Sequence, residues 1–433
     1  MRLLVLGAGV SGLAASTLAR RQGHSVTIYD DGRPEAAPLL EIGVGLVSGG
    51  WDAGLLDGID LVVASPGFPE RSLPVVETLE SGVPVWSEVE FAWRAIAGRP
   101  VVAVTGTNGK TTVTTLTTEI LRASGIGAVA AGNIGTPLSA VVDDAWDVAV
   151  IEVSSFQLRF IDRFHPGAAA ILNIAEDHLD WHGSVQAYAA AKARIFERQD
   201  ADDLLVYDAD DPGAASAAGR AVSELHPVSG SRRPEGGSGV EGGSLHLPGT
   251  SIPLSDLGSS DPAHLVDMAI SAVLSSSQGA EPDALERVLK GFRPGAHRRS
   301  LVSTVDGVAY VDDSKATNTH AALAAIAAYP SVVLIAGGLA KGLDLTPLAA
   351  AANVVALIGI GSVGPELAAA AGERGHVAAT MDEAVALAAS LARPGDTVLL
   401  APGGASFDQF QSYAERGEIF VSAVGRLEKE HSS

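Results

Sequence analysis

The segment from residue 105 to 112 reads Thr-Gly-Thr-Asn-Gly-Lys-Thr-Thr, a glycine-rich loop suited to holding phosphate groups. Amides of such a loop form a nest for an anion, a lysine reaches the β and γ phosphates, and a threonine hydroxyl binds Mg²⁺. Two residues, rather than the usual four, separate its glycines. A glycine turn with a solvated lysine is the alternative, disfavoured because a strand precedes the loop and a helix follows. The predicted phosphate-binding residues are Gly106, Thr107, Asn108, Gly109, Lys110, Thr111 and Thr112.

A carboxylate, Glu152, follows the apolar run at residues 148–151. The carboxyl ends of parallel strands meet at one edge of a sheet, so this side chain is expected beside the phosphate loop. A carboxylate oxygen is a ligand that Mg²⁺ prefers. Glu152 is therefore a candidate metal ligand, and an ordinary acid at the end of a strand is the alternative.

A second polar cluster, Glu-Asp-His-Leu-Asp at residues 176–180, follows the apolar run at 170–174. Three acids and an imidazole at this edge suit a second metal and the orientation of a reacting amine. A single histidine such as His178 is also commonly structural or solvent-facing, so both interpretations stay open. Further along, Lys192 lies in a predicted helix at residues 185–198, and residue chemistry alone predicts a solvated side chain there.

The amino terminus carries a glycine motif, Gly-Ala-Gly-Val-Ser-Gly at residues 7–12, between a predicted strand and a predicted helix. Glycines in this context let the backbone approach a pyrophosphate at a helix amino terminus. Asp30 and Asp31 end the second strand about 20 residues later, a spacing that fits ribose recognition. The motif alone leaves three interpretations open: an NAD site, a site for another nucleotide, or packing of a tight turn.

Three polar loops mark the carboxyl-terminal third of the chain. They lie at residues 312–318, 337–341 and 402–409, each directly after an apolar run. Loops at the carboxyl ends of neighbouring parallel strands usually form one face of a cleft. The first of them also begins a predicted helix, whose amino terminus can contact a nucleotide or an anionic substrate.

The elements that position these segments predict an α/β protein. Short apolar runs alternate with helical stretches and with glycine or proline turns, the pattern of parallel sheets with helical crossovers. The rhythm breaks near residues 97–100 and again near 292–295. We predict three domains, at 1–98, 99–294 and 295–433, and we predict a surface loop or short hairpin for the Gly- and Ser-rich stretch at 229–250.

Composition narrows the possible partners. The chain has 51 acidic and 29 basic residues, a formal charge of −22, which would repel nucleic acid and anionic membrane surfaces. It has no cysteine, so a metal site would use oxygen and imidazole ligands, as Mg²⁺ does. Lacking a signal-peptide core or a long apolar run, it is expected to be a soluble cytoplasmic protein without a membrane span.

With these segments assembled, the whole chain resembles the Mur ligases of peptidoglycan synthesis. The loop at 105–111 is similar to the form used across that family. The segments at 132–135 (Gly-Asn-Ile-Gly), 152–158 (Glu-Val-Ser-Ser-Phe-Gln-Leu) and 313–318 (Asp-Ser-Lys-Ala-Thr-Asn) resemble the members that add D-glutamate. The resemblance implies a Rossmann-like UDP-binding domain, a central P-loop ATPase-type α/β domain and a carboxyl-terminal Rossmann-like α/β domain.

The resemblance also implies an ATP-dependent ligase that joins D-glutamate to UDP-N-acetylmuramoyl-L-alanine through an acyl phosphate and works as a monomer. Lys110 and Thr111 would hold ATP phosphates and Mg²⁺, Glu152 the first Mg²⁺ and His178 the second. It reverses the interpretation of Lys192, because the matching lysine of the family is carbamylated and ligates metal. Adenosine would contact Arg298 and Asp313, with His297 nearby.

Two groups of substrate contacts are implied in the same way. The UDP-linked substrate would bind Ser11, Asp31, Ser65, Pro66, Gly67 and Asn133. D-Glutamate would bind Lys315, Thr317, Lys341, Ser406, Phe407 and Tyr413. Two lysines facing a dicarboxylate make chemical sense, because charge-assisted hydrogen bonds to carboxylates are strong.

The chain departs from the family pattern in two places. Where the family has His-Asn and a further Asn that serves adenine, residues 264–268 read His-Leu-Val-Asp-Met, and the uridine loop has Asp31, Gly32 and Arg33 instead of the usual Thr-Arg pair. Three rival functions remain: a folylpolyglutamate-type ligase, a nucleotide-binding module without catalysis, and a dehydrogenase.

Overall fold

The computed structural model describes residues 1–32, 34, 42–96 and 98–431, so Arg33 lies outside the described residues. Contacts divide the chain into two compact units. The first comprises Met1–Ile174 and Trp181–Phe292, and the second comprises Ala175–Asp180 and Arg293–Ser433. The short segment with the Glu-Asp-His cluster thus belongs to the second unit, although its neighbours in sequence belong to the first.

The first unit begins with a parallel sheet, which has five strands in the described residues, in the order β3-β2-β1-β4-β5. Its strands are β1 (Arg2–Leu6), β2 (Ser25–Asp30), β3 (Gly45–Ser48), β4 (Leu61–Ala64) and β5 (Val85–Ser87). The helices of this region are α1 (Val10–Arg21), α2 (Leu73–Ser81) and α3 (Glu88–Trp93). Strands β1 and β4 are buried almost throughout, as expected of central strands in a parallel sheet.

A second sheet of the same unit has the order β14-β13-β12-β11-β10-β9-β6-β8-β7 in the described part of the chain. Its strands are β6 (Val101–Thr105), β7 (Ala128–Gly132), β8 (Val148–Glu152), β9 (Ala168–Ile171), β10 (Leu204–Asp208), β11 (Glu224–Ser229), β12 (Ser238–Glu241), β13 (Ser244–Leu247) and β14 (Thr250–Pro253). The associated helices are α4 (Lys110–Ala123), α5 (Ser155–Arg159), α6 (Leu179–His182), α7 (Val185–Ala193), α8 (Pro212–Ala218), α9 (Pro262–Ser277) and α10 (Pro282–Gly291). Strand β6, which leads into the phosphate loop, lies between β9 and β8 and pairs parallel with both.

The stretch at 229–250 differs from the prediction of a surface loop. Strand β12 pairs parallel with β11, and the antiparallel strands β13 and β14 then extend the same sheet. Leu245 and Ile252 are fully buried, so this part of the sheet contributes to the core. The hairpin alternative was closer to the observed structure. A surface loop was predicted because the glycine and serine content of this stretch masked its alternating apolar residues.

The second unit contains a third sheet, in the order β15-β16-β20-β17-β18-β19 within the described residues. Its strands are β15 (Ser300–Val305), β16 (Val308–Asp312), β17 (Val332–Gly337), β18 (Val354–Ile360), β19 (Gly375–Val377) and β20 (Thr397–Gly403). Its helices are α11 (Thr319–Ala327), α12 (Thr346–Ala350), α13 (Gly364–Ala371), α14 (Met381–Leu391) and α15 (Tyr413–His431). The pair β15–β16 is antiparallel and the other pairs are parallel, so the carboxyl ends of β16, β20 and β17 are neighbours at one edge.

Each predicted domain contains one of these sheets, and the boundaries near 98 and 294 stay predictions. Short 3₁₀ turns complete the secondary structure at Ala53–Leu56, Leu138–Ala140, Arg194–Phe196, Leu254–Asp256 and Gly372–Arg374. None of the helices among the described residues combines the length and apolar character that a membrane crossing requires.

The carboxyl end of β10 provides a prediction about stability. Burial raises the pKa of Asp208 to about 7, against a hydrogen bond from the Asp210 amide that lowers it. Between about pH 4 and pH 7 the folded chain therefore binds more protons than the unfolded chain, and the free energy of unfolding falls as pH rises. Asp208→Asn stays neutral and still accepts the Asp210 amide, so we expect it to be more stable than the parent at pH 8 by about 2 kcal/mol.

Urea unfolding of both proteins at pH 4.5 and pH 8 measures this difference. Asp202→Asn, at an exposed carboxyl before the same strand, is the control. A gain that is equal at both pH values would contradict the assignment of the effect to the Asp208 charge.

Candidate active site

The phosphate loop joins the end of β6 to the start of α4, as predicted. Gly109 precedes the helix with φ of +86°, a left-handed conformation that favours glycine, and no side chain caps the helix amino terminus. A Cβ at this position would lie 2.6 Å from Asp267 Oδ1 and 2.9 Å from Leu172 Cδ1. The glycine is thus required both by conformation and by space, and it stands at a helix amino terminus, where the helix dipole favours an anion.

Glu152, the last residue of β8, is 2% exposed and sits against this loop. Thr111 Oγ1 donates to one of its carboxylate oxygens at 2.8 Å, and Asn133 Nδ2 donates to the other at 2.9 Å. The Asn133 amide also donates to the Glu152 carbonyl. The structure therefore brings together three predicted residues from the ends of β7 and β8 and the start of α4.

Asn173, to which the sequence assigned no role, fixes the loop from the end of β9. Its carbonyl accepts the Thr107 amide at 2.9 Å, and its Oδ1 accepts the Asn108 amide at 2.7 Å. Tyr188 on α7 adds a contact between its hydroxyl and Thr107 Oγ1 at 3.1 Å. Polar residues just after an apolar strand were the only sequence signal for Asn173, and nothing local indicated Tyr188.

Two lysines converge on one carbonyl of the loop. Lys110 Nζ donates to the Gly106 carbonyl at 2.9 Å and to the Thr107 carbonyl at 3.0 Å. Lys192 Nζ donates to the same Gly106 oxygen at 2.7 Å and lies 4.6 Å from the centre of the Tyr188 ring. Lys192 is 1% exposed, so the solvated side chain predicted from residue chemistry alone is wrong.

These side chains fit a nucleotide phosphate with Mg²⁺. The Thr111 hydroxyl and the Glu152 carboxylate offer hard oxygen donors, which Mg²⁺ prefers. Lys110 Nζ and the uncapped start of α4 supply the positive potential that a polyphosphate needs. Thr112 lies on the first turn of the same helix.

His178 lies in the second unit, where the segment Ala175–Asp180 packs. Its φ of +51° is in the left-handed region that non-glycine residues seldom occupy. Its amide donates to Asp177 Oδ1 at 2.9 Å, and Asp177 Oδ2 accepts from Asn318 Nδ2 at 3.3 Å. The predicted metal-ligand histidine is thus presented on a loop held by the first residue before α11.

The amino-terminal glycine loop packs on the predicted Ser-Pro-Gly turn. Gly7 has φ of +101°, and a Cβ there would be 3.0 Å from the Ser65 side chain. The Ala8 amide donates to Asp30 Oδ2 at 2.7 Å, whereas Asp31 is exposed. Ser11 lies on the first turn of α1, and Pro66 and Gly67 follow Ser65 after β4. Asp30 therefore has the structural role, which leaves Asp31 available to a ligand.

Asp313 follows β16 and is the candidate adenosine contact of the second unit. Burial raises its pKa to about 6, helped by the charge of Asp312 and opposed by Arg299 and Arg298. Its Oδ1 accepts the Arg299 amide at 3.2 Å. Asp312, the last residue of β16, contacts His297 Nδ1 at 2.6 Å, so both acids at the end of this strand have a basic neighbour.

The six candidate glutamate contacts lie on the predicted loops and at the start of α15. Lys315 Nζ donates to the Tyr413 hydroxyl at 3.2 Å, and Lys341 Nζ lies 5.5 Å from the centre of the Phe407 ring. Phe407 is 66% exposed, an unusual position for a large apolar ring. Ser406 is buried beside it, and Thr317 lies two residues after Lys315.

Backbone hydrogen bonds join the three loops. The Leu339 and Ala405 backbones exchange hydrogen bonds at 2.8 and 2.9 Å, and the Gly403 amide donates to the Ala316 carbonyl at 2.8 Å. Lys341 has φ of +51°, in the left-handed region. The three polar loops that the sequence places at one edge of the third sheet thus form one connected surface within this unit.

The altered segment at 264–268 lies in α9, where Met268 is fully buried in the core. His264 contacts Ser259 through Nδ1 at 2.8 Å. Asp267 is the residue of this segment that lies against the phosphate loop, through the contact with Gly109 described above. An apolar side chain therefore occupies the position at which the family pattern has asparagine.

Comparison with known proteins agrees with this geometry. Residues 1–87 match the Mur ligase MurD-like amino-terminal domain, residues 104–231 the Mur ligase middle domain, and residues 297–404 the Mur ligase glutamate ligase domain. A relative from Frankia casuarinae, named UDP-N-acetylmuramoylalanine--D-glutamate ligase, is 43% identical over 98% of this chain and 93% of its own length. A relative of the same name from Exiguobacterium sibiricum is 40% identical over 98% and 97%.

Solved structures share the fold at lower identity. A pseudomurein peptide ligase type C from Methanothermus fervidus has a TM-score of 0.59 at 18% identity, covering 98% of this chain and 99% of its own. MurF from Acinetobacter baumannii has a TM-score of 0.60 at 16% identity, covering 96% and 93%. The α/β fold predicted from the sequence is confirmed by these structures.

Proposed function

Because this chain belongs to the Mur ligase family, we propose that it joins D-glutamate to UDP-N-acetylmuramoyl-L-alanine, using ATP, in peptidoglycan precursor synthesis. The observation that carries the proposal is the near full-length similarity to relatives of that name. The phosphate loop bonded to Glu152 supplies the chemistry that such a ligase needs.

The reaction requires activation because an amine does not displace oxide from a carboxylate at useful rates. An oxygen of the alanyl carboxylate attacks the γ-phosphorus of ATP, ADP leaves, and an acyl phosphate forms. The D-glutamate amine then attacks the acyl carbon to form the C–N bond, the acyl C–O bond breaks so that phosphate leaves with that oxygen, and the nitrogen loses a proton. Lys110 would stabilise the charge on the transferring phosphoryl group.

The residues that would hold Mg²⁺ are Thr111, Glu152 and a carbamylated Lys192 in the first unit, and His178 in the second unit. Bound there, Mg²⁺ would neutralise phosphate charge. Asn133 would orient the Glu152 carboxylate through the hydrogen bond at 2.9 Å. The hydrogen bonds that the Asn173 carbonyl and side chain accept from the phosphate loop would hold that loop in the conformation that receives the anion.

The second unit would bind D-glutamate. Lys315 and Lys341 would pair with its two carboxylates, and Thr317 and Ser406 would donate hydroxyl hydrogen bonds. The Phe407 and Tyr413 rings, each within cation–π distance of one of those lysines, would cover the aliphatic part. Arg298 and Asp313 would contact adenosine from the same unit.

The amino-terminal glycine loop would bind the UDP moiety. Its helix amino terminus at α1 has no side-chain cap, which suits a pyrophosphate. Ser11 on the first turn of α1, Asp31 after β2, and the turn at 65–67, whose Ser65 packs against Gly7, would contact UDP, and Asn133 would contact the sugar-peptide part. All proposed contacts come from one chain, so the proposed active form is a monomer, acting in the cytoplasm where ATP and UDP-linked precursors are present.

The test is phosphate release from ATP and Mg²⁺ with UDP-N-acetylmuramoyl-L-alanine, measured with D-glutamate, with L-glutamate and without an amino acid. We expect release that requires D-glutamate, with a new amide product of matching amount. Release with a different amino acid would favour another ligase of the family. Nucleotide binding without release under any pairing would favour a binding module, and the Met268 segment would then be examined first.

A further inference from the structure

The largest fully buried side chain among the described residues is a charged one, Arg416, on the first turn of α15. A buried guanidinium is costly unless its N–H groups find acceptors. Burial lowers its pKa to about 10, while the charges of Asp408 and Asp312 act in the opposite direction, so it remains a cation near neutral pH. A guanidinium that stays charged while buried must therefore be stabilised by the groups that accept its hydrogen bonds.

The acceptors of Arg416 all belong to the polar loops at the edge of the third sheet. Nε donates to Ser314 Oγ at 3.0 Å, and Nη2 donates to the Ser314 carbonyl at 2.8 Å. Nη1 donates to the Gly404 carbonyl at 3.1 Å. The same nitrogen lies 3.3 Å from where a Cβ of Gly338 would be, so the guanidinium also packs against the third loop.

Each contacted residue is close in sequence to a proposed glutamate contact. Ser314 directly precedes Lys315, Gly404 lies two residues before Ser406, and Gly338 lies three residues before Lys341. Ser314 Oγ in turn donates to the Tyr413 carbonyl at 2.7 Å. A guanidinium has a rigid fork of donors, so its position fixes several acceptors relative to one another.

We propose that Arg416 is the positioning residue of the D-glutamate site: it sets the spacing of the three loops that carry Lys315, Lys341 and Ser406. The inference rests on the proposed function for the identity of the ligand. The positioning itself is a property of this unit and can be measured without any ligand. An anchor required only for folding would use acceptors anywhere in the core, whereas these lie in the loops.

The variants are Arg416→Lys, Arg416→Met and Ser314→Ala. Lysine keeps the charge but loses the fork, methionine loses both, and S314A removes one acceptor and leaves the guanidinium. The matched control is Arg374→Met, because Arg374 in the same unit also donates to two backbone carbonyls, Val354 and Ala349, away from these loops. Full-length proteins are compared by steady-state kinetics, thermal unfolding and amide hydrogen exchange.

We expect R416M to raise the KM for D-glutamate by about 10- to 100-fold, because small misplacements of binding groups are costly. R416K and S314A should give smaller increases, in the order of the hydrogen bonds lost. The KM for the UDP-linked substrate, bound by the first unit, should change by less than about twofold. R374M should lower the unfolding temperature without changing the KM for D-glutamate.

Hydrogen exchange keeps the inference separate from the proposed function. Faster exchange in loops 312–318, 337–341 and 402–409 of R416K, but not of the control R374M, would support positioning even if the parent protein showed no D-glutamate-dependent release. If R416M does not fold, R416K and S314A are compared with the parent protein for the KM for D-glutamate and for loop exchange. An unchanged KM for D-glutamate together with unchanged loop exchange in those two variants would overturn the inference.

Discussion

Lys110→Met is expected to lower D-glutamate-dependent phosphate release by about 1,000-fold or more, because it removes the cation that the phosphate loop presents to the transferred group. Lys110 is the first residue of α4, and its Nζ donates to the Gly106 and Thr107 carbonyls of the phosphate loop. Methionine has a similar length but no charge. Steady-state phosphate release per folded enzyme measures the effect.

The control for this prediction is Lys290→Met, which removes a half-buried lysine paired with Asp256 and Glu286 in the same unit. It should retain the parent rate. Binding of UDP-N-acetylmuramoyl-L-alanine to K110M, followed by calorimetry, should stay near the parent value because that ligand is assigned to other residues. A K110M rate within tenfold of the parent would rule out the proposed role of Lys110.

The sheets were predictable because buried parallel strands are continuous apolar runs. The runs at 3–6, 101–104 and 332–335 lie within β1, β6 and β17. Strand β7 was missed, because its sequence Ala-Val-Ala-Ala-Gly has small residues of low strand propensity and is held by pairing with β8. Strand β19 has only three residues, too few for periodicity to register.

The site residues divide in the same way. Glu152 ends β8 and Thr111 follows the loop after β6, and the common edge of a parallel sheet predicts that they meet. Lys192 and Arg416 look like ordinary helix residues, because an acceptor of each one, the Gly106 carbonyl and the Ser314 hydroxyl respectively, is more than 80 residues away in sequence. Only the family resemblance signalled Lys192, and no sequence pattern signalled Arg416. Polar residues at the end of a strand can be identified from the neighbouring sequence. A buried cation can be identified only from the three-dimensional structure, which shows the distant groups that accept its hydrogen bonds.

Lys192 provides the second large effect. Its Nζ and that of Lys110 donate to one carbonyl oxygen in a buried site, where two like charges repel strongly. Addition of CO₂ to the Lys192 nitrogen, with loss of two protons from the ammonium group, would form a carbamate and replace this repulsion with attraction. The carbamate would also supply a carboxylate-type ligand for Mg²⁺. Lys192→Met removes that group, and we expect a loss of about 3 kcal/mol of transition-state stabilisation, or about 100-fold in turnover.

The proposed carbamate also predicts a dependence on CO₂. Parent enzyme in CO₂-depleted buffer should lose activity and regain it when bicarbonate is restored, whereas the residual activity of K192M should not respond. Carbon-13 NMR of parent enzyme equilibrated with labelled bicarbonate should show a carbamate resonance that K192M lacks. Parent activity that is independent of bicarbonate, with no such resonance, would leave Lys192 as an ammonium. The repulsion between Lys192 and Lys110 would then be relieved by the polyphosphate itself, and affinity for ATP without Mg²⁺ should fall when either lysine is replaced by methionine.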